Sequence, residues 1–221
     1  MGNTKKIGNA TIMNIDCMEY MKTLPDNYFD LAIVDPPYGI GVDGQKQSIN
    51  NKNPKANRKA HDFKGWDNEI PPPEYFAELE RISTDRIIWG ANYYNSFNKN
   101  GGAIVWWKRV PPESNLSECE IASYSRLKRV AFVDLIWQNI TNKGEATIHP
   151  CQKPVKLYEW ILTNYAKPGQ TIFDSHMGSG SSEIECNNLG FEYVGCELDT
   201  DYYEAACKRI AHHASQKRLF A

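Results

Sequence analysis

The chain predicts an α/β domain built on a mixed, mainly parallel sheet with helices on both faces. Three observations predict it. Short apolar runs alternate with segments of helical period along most of the length, the pattern of a buried parallel sheet covered by helices. Two of those runs end in turns rich in proline or glycine, Asp35-Pro36-Pro37-Tyr38 and the stretch 174–182, where the backbone must leave the sheet. The composition is globular: of 221 residues, 41% are hydrophobic, 24% charged and 12% aromatic, which excludes disordered and collagen-like classes. At about 150 residues per domain, this length suits one domain, 1–221, with an elaboration.

In order along the chain, residues 10–15 form a short strand, and 17–24 have apolar residues at helical spacing up to a stop at Pro25. Residues 29–34 form a buried-type strand. The polar, aperiodic stretch 39–66 is expected as a long loop, either a functional lid or binding loop or disordered. A helix over 73–82 follows, then strands at 86–89 and 103–107. The region 108–148 is less periodic, with one strand over 130–137. The final part, 149–221, holds a helix over 153–165, a strand at 171–173, a helix to 189, a strand at 193–196 and a last helix over 201–213.

Twenty-five basic residues face 27 acidic ones, a net charge of −2, which argues against a polybasic binder while leaving local basic surfaces open. The six cysteines are widely spaced with no CxxC pair, as suits reduced thiols in a cytoplasmic protein. The first 16 residues have no apolar h-region and no run approaches a membrane span, so neither a signal peptide nor a membrane partner is expected. The five histidines make no metal-ligand spacing with the cysteines, and no metal is expected.

The stretch 174–182 joins a strand-end carboxylate, Asp174, to a Gly-x-Gly turn and a helix. Gly178 and Gly180 let backbone pass close to a ligand, and small Ser179, Ser181 and Ser182 keep the approach open. Glu197 ends the next strand, where an acid can take both hydroxyls of a ribose. Together they point to a nucleoside-containing ligand on the sheet's carboxyl edge, although a tight strand-to-helix turn alone also explains the glycines. Neither G-x-G-x-x-G nor a P-loop is present. At the other turn, prolines leave carbonyls with no neighbouring N–H donors, Asp35 adds an acceptor, and Tyr38 offers a flat face. Acceptors beside an aromatic plate suit the exocyclic NH2 of a planar base; the competing explanation is a rigid proline turn with a surface tyrosine.

Asp35-Pro36-Pro37-Tyr38-Gly39, then His149-Pro150-Cys151-Gln152-Lys153-Pro154, then 174–182 and Glu197, resemble in that order the amino-group DNA methyltransferases. The chain is most similar to compact phage- or prophage-borne members in the beta arrangement. The resemblance implies a Rossmann-like methyltransferase fold, circularly permuted so that the catalytic half precedes the cofactor half. It implies S-adenosyl-L-methionine as methyl donor, no metal, and a base flipped out of double-stranded DNA. It places Asp35, Pro36, Pro37 and Tyr38 at the target amino group, with no cysteine in a catalytic role. To the donor it assigns Asp16 near the adenine, Glu197 on the ribose, and Asp174, Ser175, His176, Gly178, Ser179 and Gly180 around the methionine moiety, with Gln152 and Lys153 enclosing that end. Many relatives carry Pro and Phe where this chain has Ser175 and His176. An Asp at position 35 resembles the adenine-N6 members more than the cytosine-N4 ones. The alternatives are cytosine-N4 methylation and a catalytically decayed DNA-binding relic of the same fold.

Two basic regions are candidate DNA contacts: 39–66, with Lys55, Arg58 and Lys59, and 99–129, with Lys108, Arg109, Arg126, Lys128 and Arg129. Each holds six basic residues, against three acids in or just beyond it, and each is equally well explained as solvated surface. The tryptophans 89, 106, 107 and 137 lie in strand-like runs and are expected in the core. The resemblance makes 108–148 a small target-recognition insert and 149–221 the cofactor-binding half, and a homodimer is compatible with so small a recognition region.

Overall fold

A computed structural model describes residues 2–44, 46, 60–97, 99–110, 116–136 and 147–217. Among these residues nine strands make one sheet in the order β1-β2-β9-β8-β3-β4-β6-β5-β7. In chain order they are β1 (Asn3–Ile7), β2 (Ala10–Asn14), β3 (Phe29–Val34), β4 (Ser83–Trp89), β5 (Ala103–Trp107), β6 (Cys119–Tyr124), β7 (Val130–Asp134), β8 (Thr171–Asp174) and β9 (Glu192–Glu197). The helices are α1 (Cys17–Met21), α2 (Pro73–Ile82), α3 (Ala91–Tyr94), α4 (Val155–Tyr165), α5 (Ser181–Leu189) and α6 (Thr200–Lys217).

The central strands β2, β9, β8, β3 and β4 run parallel, so their carboxyl ends share one edge. The outer pairs β1–β2, β4–β6 and β5–β6 are antiparallel, which makes the sheet mixed. Alternation of side chains gives two cores. On one face Leu31, Ile33, Ile172 and Tyr193 pack under Leu157, Ile161, Ile184 and Ile210 of α4, α5 and α6. On the other Phe29, Ala32, Val34 and Phe173 pack under Met21, Tyr75, Leu79 and Ile82 of α1 and α2. Phe29 and Phe173 stack 4.6 Å apart and lock β3 to β8.

Three elements escape the sequence pattern. β1 is a polar edge strand whose register on β2 is set by pairing (Asn3 opposite Asn14) rather than by an apolar face. β6 reads as irregular because its first half, Cys119–Ile121, is only half buried. α3 is a single turn entered from Gly90 and left at Asn95, both left-handed. The region 108–148 supplies β6 and β7 to the main sheet, β7 falling within the strand expected over 130–137; 111–115 and 137–146 lie outside the described residues. Trp89 and Trp106 are fully buried as expected, Trp107 is 38% exposed, and Trp137 is outside the described residues.

Candidate active site

A cavity of about 1000 Å³ runs along the carboxyl edge, lined by Asp16 after β2, Glu197 of β9, Ser175–Ser179 after β8, and Asp35–Tyr38 after β3. Glu197 and Asp35 stand two strands apart, roughly 10 Å at the usual strand spacing. This is the crevice where ligands bind in open α/β sheets.

At the β9 end, backbone holds the acids. Glu197 Oε2 accepts from Gly178 N (2.9 Å) and Oε1 from Asp199 N (2.9 Å). Burial pushes this carboxyl up to about 7 against the pull of those two N–H groups. Asp174 is buried behind the loop: Oδ2 accepts from Ser182 Oγ (2.6 Å) and Oδ1 from His176 N (3.1 Å). Burial raises Asp174 to about 6. Met177 N donates to Cys196 O (2.9 Å), pinning the loop to β9. Asp16 caps α1, accepting from Met18 N at 2.7 Å, and reaches the cavity from the exposed side.

At the β3 end, side chains hold one another. Asp35 accepts from Tyr38 OH (2.6 Å) at Oδ1 and pairs with Lys153 Nζ at Oδ2. Lys153 Nζ also lies 3.0 Å from Glu120 Oε2, and Glu120 Oε1 is 2.9 Å from Lys108 Nζ. Two acids and two bases thus form a neutral chain drawn from four separate segments. Burial raises Asp35 despite Lys153. For Glu120 burial acts upward as well, but Lys153 and Lys108 outweigh it and hold the carboxyl low. Tyr38's ring stacks on Tyr93 (4.8 Å, 18°) and presses on Gly90, where a Cβ would sit 2.4 Å from the ring.

The ends of the 39–66 stretch frame this cavity. Asp67 accepts from the backbone of Tyr38, Gly39 and Val42, each at 2.8 Å, and so shapes the turn after β3. Asp43 gathers the N–H groups of Gly44, Lys64, Gly65 and Trp66. Lys64 Nζ then bridges Asp199 (2.7 Å) and Asp201 (2.6 Å) next to Glu197.

Several expected roles change in place. The carbonyls of Pro36 and Pro37 are not free of donors, because Tyr94 OH reaches both (2.5 and 2.9 Å). Lys153 reaches the cavity but sits on Asp35 and Glu120 rather than at the β8 loop. Gln152 is folded back, its Oε1 accepting from Ile148 N (3.1 Å), and does not line the cavity. Asp174 braces the loop from behind, and Gly180 serves helix packing: a Cβ there would stand 2.8 Å from Ile210 Cδ1. Ser175 Oγ bonds Tyr75 OH (2.6 Å) and His176 Nδ1 (2.9 Å), which gives the serine and the histidine polar partners of their own. Burial pushes His176 down to about 4, so it is neutral.

Folding also brings a cysteine to the site, which sequence adjacency does not suggest. Cys151 lines the cavity, but burial, with Asp35 nearby, pushes its thiol up to about 12, and a protonated thiol is a poor nucleophile. Among the expected DNA contacts, Lys108 is buried on Glu120, so it faces the cavity rather than a phosphate. Arg109 and Arg126 are exposed and paired with Asp134 and Asp85, while Lys128 and Arg129 are exposed beside β7. Lys55, Arg58 and Lys59 lie outside the described residues. Sequence reasoning missed Glu120, Asp67, Asp43, Lys64 and Tyr94. Among the described residues no group of three or more His, Cys, Asp or Glu side chains could hold a metal, and no helix is long and apolar enough to cross a membrane.

Residues 77–208 match the DNA methylase family of N6/N4 type. The chain is 23% identical over 252 aligned positions to the type II methyltransferase M.HinfI of Haemophilus influenzae, covering 90% of this chain and 68% of that one. Among solved structures it is similar to a complex of M1.HpyAVI with SAM (TM-score 0.58, 21% identity, 90% of this chain and 99% of that one). It is also similar to the cytosine-N4-specific PvuII DNA methyltransferase (TM-score 0.61, 11% identity, 97% and 96%). The family match spans more than half the sequence, and the chain belongs to the amino-group DNA methyltransferases.

Proposed function

We propose that this DNA methylase family member transfers a methyl group from S-adenosyl-L-methionine to N6 of adenine in double-stranded DNA, with its catalytic half ahead of its cofactor half in the chain. The observation that carries the reading is one cavity holding a backbone-fixed acid, Glu197, and, two strands away, the Asp35–Tyr38 acceptor group.

The residues fit the donor. Glu197 keeps lone pairs beyond its two N–H bonds for a ribose diol, and Asp16 stands on the adjoining strand end. Gly178 leaves ordinary room beside His149, where a Cβ would meet ring atoms at 3.8 Å. When bound, S-adenosyl-L-methionine supplies an electrophilic methyl group on a sulfonium.

The chain's own part is positioning and charge stabilisation. The amine of adenine is a poor nucleophile because its lone pair is delocalised into the ring. Asp35 Oδ2 accepts one amine N–H, and Pro36 O, which has a second lone pair beyond Tyr94, accepts the other. Two acceptors out of the ring plane favour a pyramidal nitrogen and stabilise its developing positive charge; as the nitrogen–methyl bond forms, the sulfonium–methyl bond breaks to leave a thioether, and the surplus proton on nitrogen departs to solvent. The flipped base stacks on Tyr38 where Tyr93 now lies, so Tyr93 is the side chain it displaces. Lys128 and Arg129 are proposed phosphate contacts, joined by Arg109 and Arg126 if DNA draws them off Asp134 and Asp85. Lys55, Arg58 and Lys59 are proposed as further ones.

The test is transfer from methyl-labelled donor to unmodified genomic DNA, with the nucleosides resolved by mass. N6-methyladenine is the expected product. N4-methylcytosine would overturn the base assignment, and donor binding without label on DNA would overturn the enzymatic reading.

A further inference from the structure

We propose that Glu120 is a positioning residue for methyl transfer: it shares the Lys153 ammonium with Asp35 and takes it over when the target amine arrives, freeing Asp35 Oδ2 to accept the amine N–H. The inference deepens the reading above and rests on it.

In the structure as it stands, Asp35 Oδ2 is occupied. Lys153 Nζ sits on it, and Tyr38 OH holds Oδ1, so an incoming amine finds only the second lone pair of an acceptor already weakened by a buried cation. An ammonium cannot be left unpaired in a buried site. Glu120 removes that obstacle, since its Oε2 lies 3.0 Å from the same Nζ while Oε1 is anchored by Lys108 at 2.9 Å. Oε2 is buried and makes no aligned hydrogen bond, so it has capacity to take Lys153 more closely. The transfer of Lys153 from one carboxylate to the other moves no proton and leaves the four-charge chain neutral.

The other groups facing Asp35 do not compete for this role. Tyr38 is on its own turn, Tyr75 comes from α2, Tyr94 from α3, Tyr158 from α4, and Cys151 from the turn before α4. All are phenols or thiols that burial pushes above their ordinary range. Asp174 of β8 faces it from behind, occupied by Ser182 and His176 N. Lys153 and Glu120 remain as the pair that sets the charge at Asp35.

The test compares Glu120→Gln, Glu120→Asp and Lys108→Gln with the wild type. Glu120→Gln leaves Lys153 on Asp35 alone. It should lower kcat about tenfold with donor Kd unchanged, and move the acid limb of the pH–rate profile down by about one pH unit. Lys108→Gln leaves Glu120 more dependent on Lys153 and should move that limb upward. Glu120→Asp should restore most of the lost kcat. A purely structural role predicts no opposed shifts. Carbon-13 titration of the Asp35 carboxyl, assigned by difference from Asp35→Asn, reads the coupling without turnover. It should show the same opposed shifts. An Asp35 titration unmoved in Glu120→Gln, or a kcat and acid limb equal to wild type in a folded Glu120→Gln, would overturn the proposal. If the titration shifts as expected but the wild type methylates no DNA, the methyl-transfer reading fails together with the role assigned to Glu120, and only the charge coupling stands.

Discussion

The two ends of the cavity hold a carboxylate in opposite ways. Glu197 is fixed by main-chain N–H groups of Gly178 and Asp199, whereas Asp35 is fixed by the side chains of Lys153 and Tyr38, with Glu120 and Lys108 behind them. A backbone cradle cannot rearrange without moving the loop, which suits a site that only has to hold a ligand. A chain of ionic side chains that hold one another can hand a charge along, which suits a site where charge develops during reaction. The difference teaches that a rigid and an adaptable way of holding a carboxylate sit two strands apart on one edge of one sheet.

Breaking the side-chain end should have the largest effect on the fold. Lys153→Met leaves Asp35 and Glu120 buried with Lys108 as their one remaining base. We expect a loss of about 3–5 kcal/mol, read as a fall in the denaturant midpoint. Glu197→Gln, at the backbone end, turns one of the two accepting oxygens into an NH2 facing a main-chain N–H, so it should cost about 1–3 kcal/mol of stability and weaken donor binding by about 1.5–3 kcal/mol, measured by calorimetry. An unchanged Kd would mean the ribose is held elsewhere.

Behind the backbone end lies Glu183 on α5, fully buried with neither oxygen hydrogen-bonded. Burial pushes its carboxyl from 4.5 up to about 8, so the folded chain keeps a proton that the unfolded chain gives up. Its contribution is therefore full below about 4.5 and is lost as pH rises towards 8. Glu183→Gln should flatten that dependence and stabilise the protein by about 2 kcal/mol at pH 8, seen in urea melts across the range. The smallest effect belongs to Lys64, whose bridge to Asp199 and Asp201 ties the 39–66 stretch to the Glu197 end. Lys64→Ala should change donor affinity by less than about 1 kcal/mol, and the difference should vanish at high salt.

The same contrast explains what the sequence reveals. The backbone end is local: Gly178 and Glu197 are 19 positions apart, and Asp174 and Ser182 are 8 apart, so strand, glycine turn and acid read off in a row. The parallel core strands read nearly as well from apolar stretches such as Leu31–Val34 and Ile87–Trp89, although the polar start of β4, Ser83–Asp85, escapes that pattern. The side-chain end is not local. Lys153 meets Asp35 across 118 positions, and Glu120 reads as one acid among loop charges because β6 carries no clear alternation. Lys108 shows the consequence: its charge suggests a phosphate contact, and only the pairing of β5 with β6 turns it inward onto Glu120. Gln152 and Gly180 are legible as part of a motif, but whether they face the cavity depends on the turn they close and the helix they touch.

The most direct test of this division is single-turnover methyl transfer by Asp35→Asn and Glu197→Gln at saturating donor and DNA. We predict that Glu197→Gln recovers to within about tenfold of wild type once donor saturates, because its defect is in holding. Asp35→Asn should stay about 10³-fold slower at any donor concentration, with donor Kd unchanged. An Asp35→Asn enzyme as fast as wild type, or a Glu197→Gln enzyme that saturation does not rescue, would contradict the account.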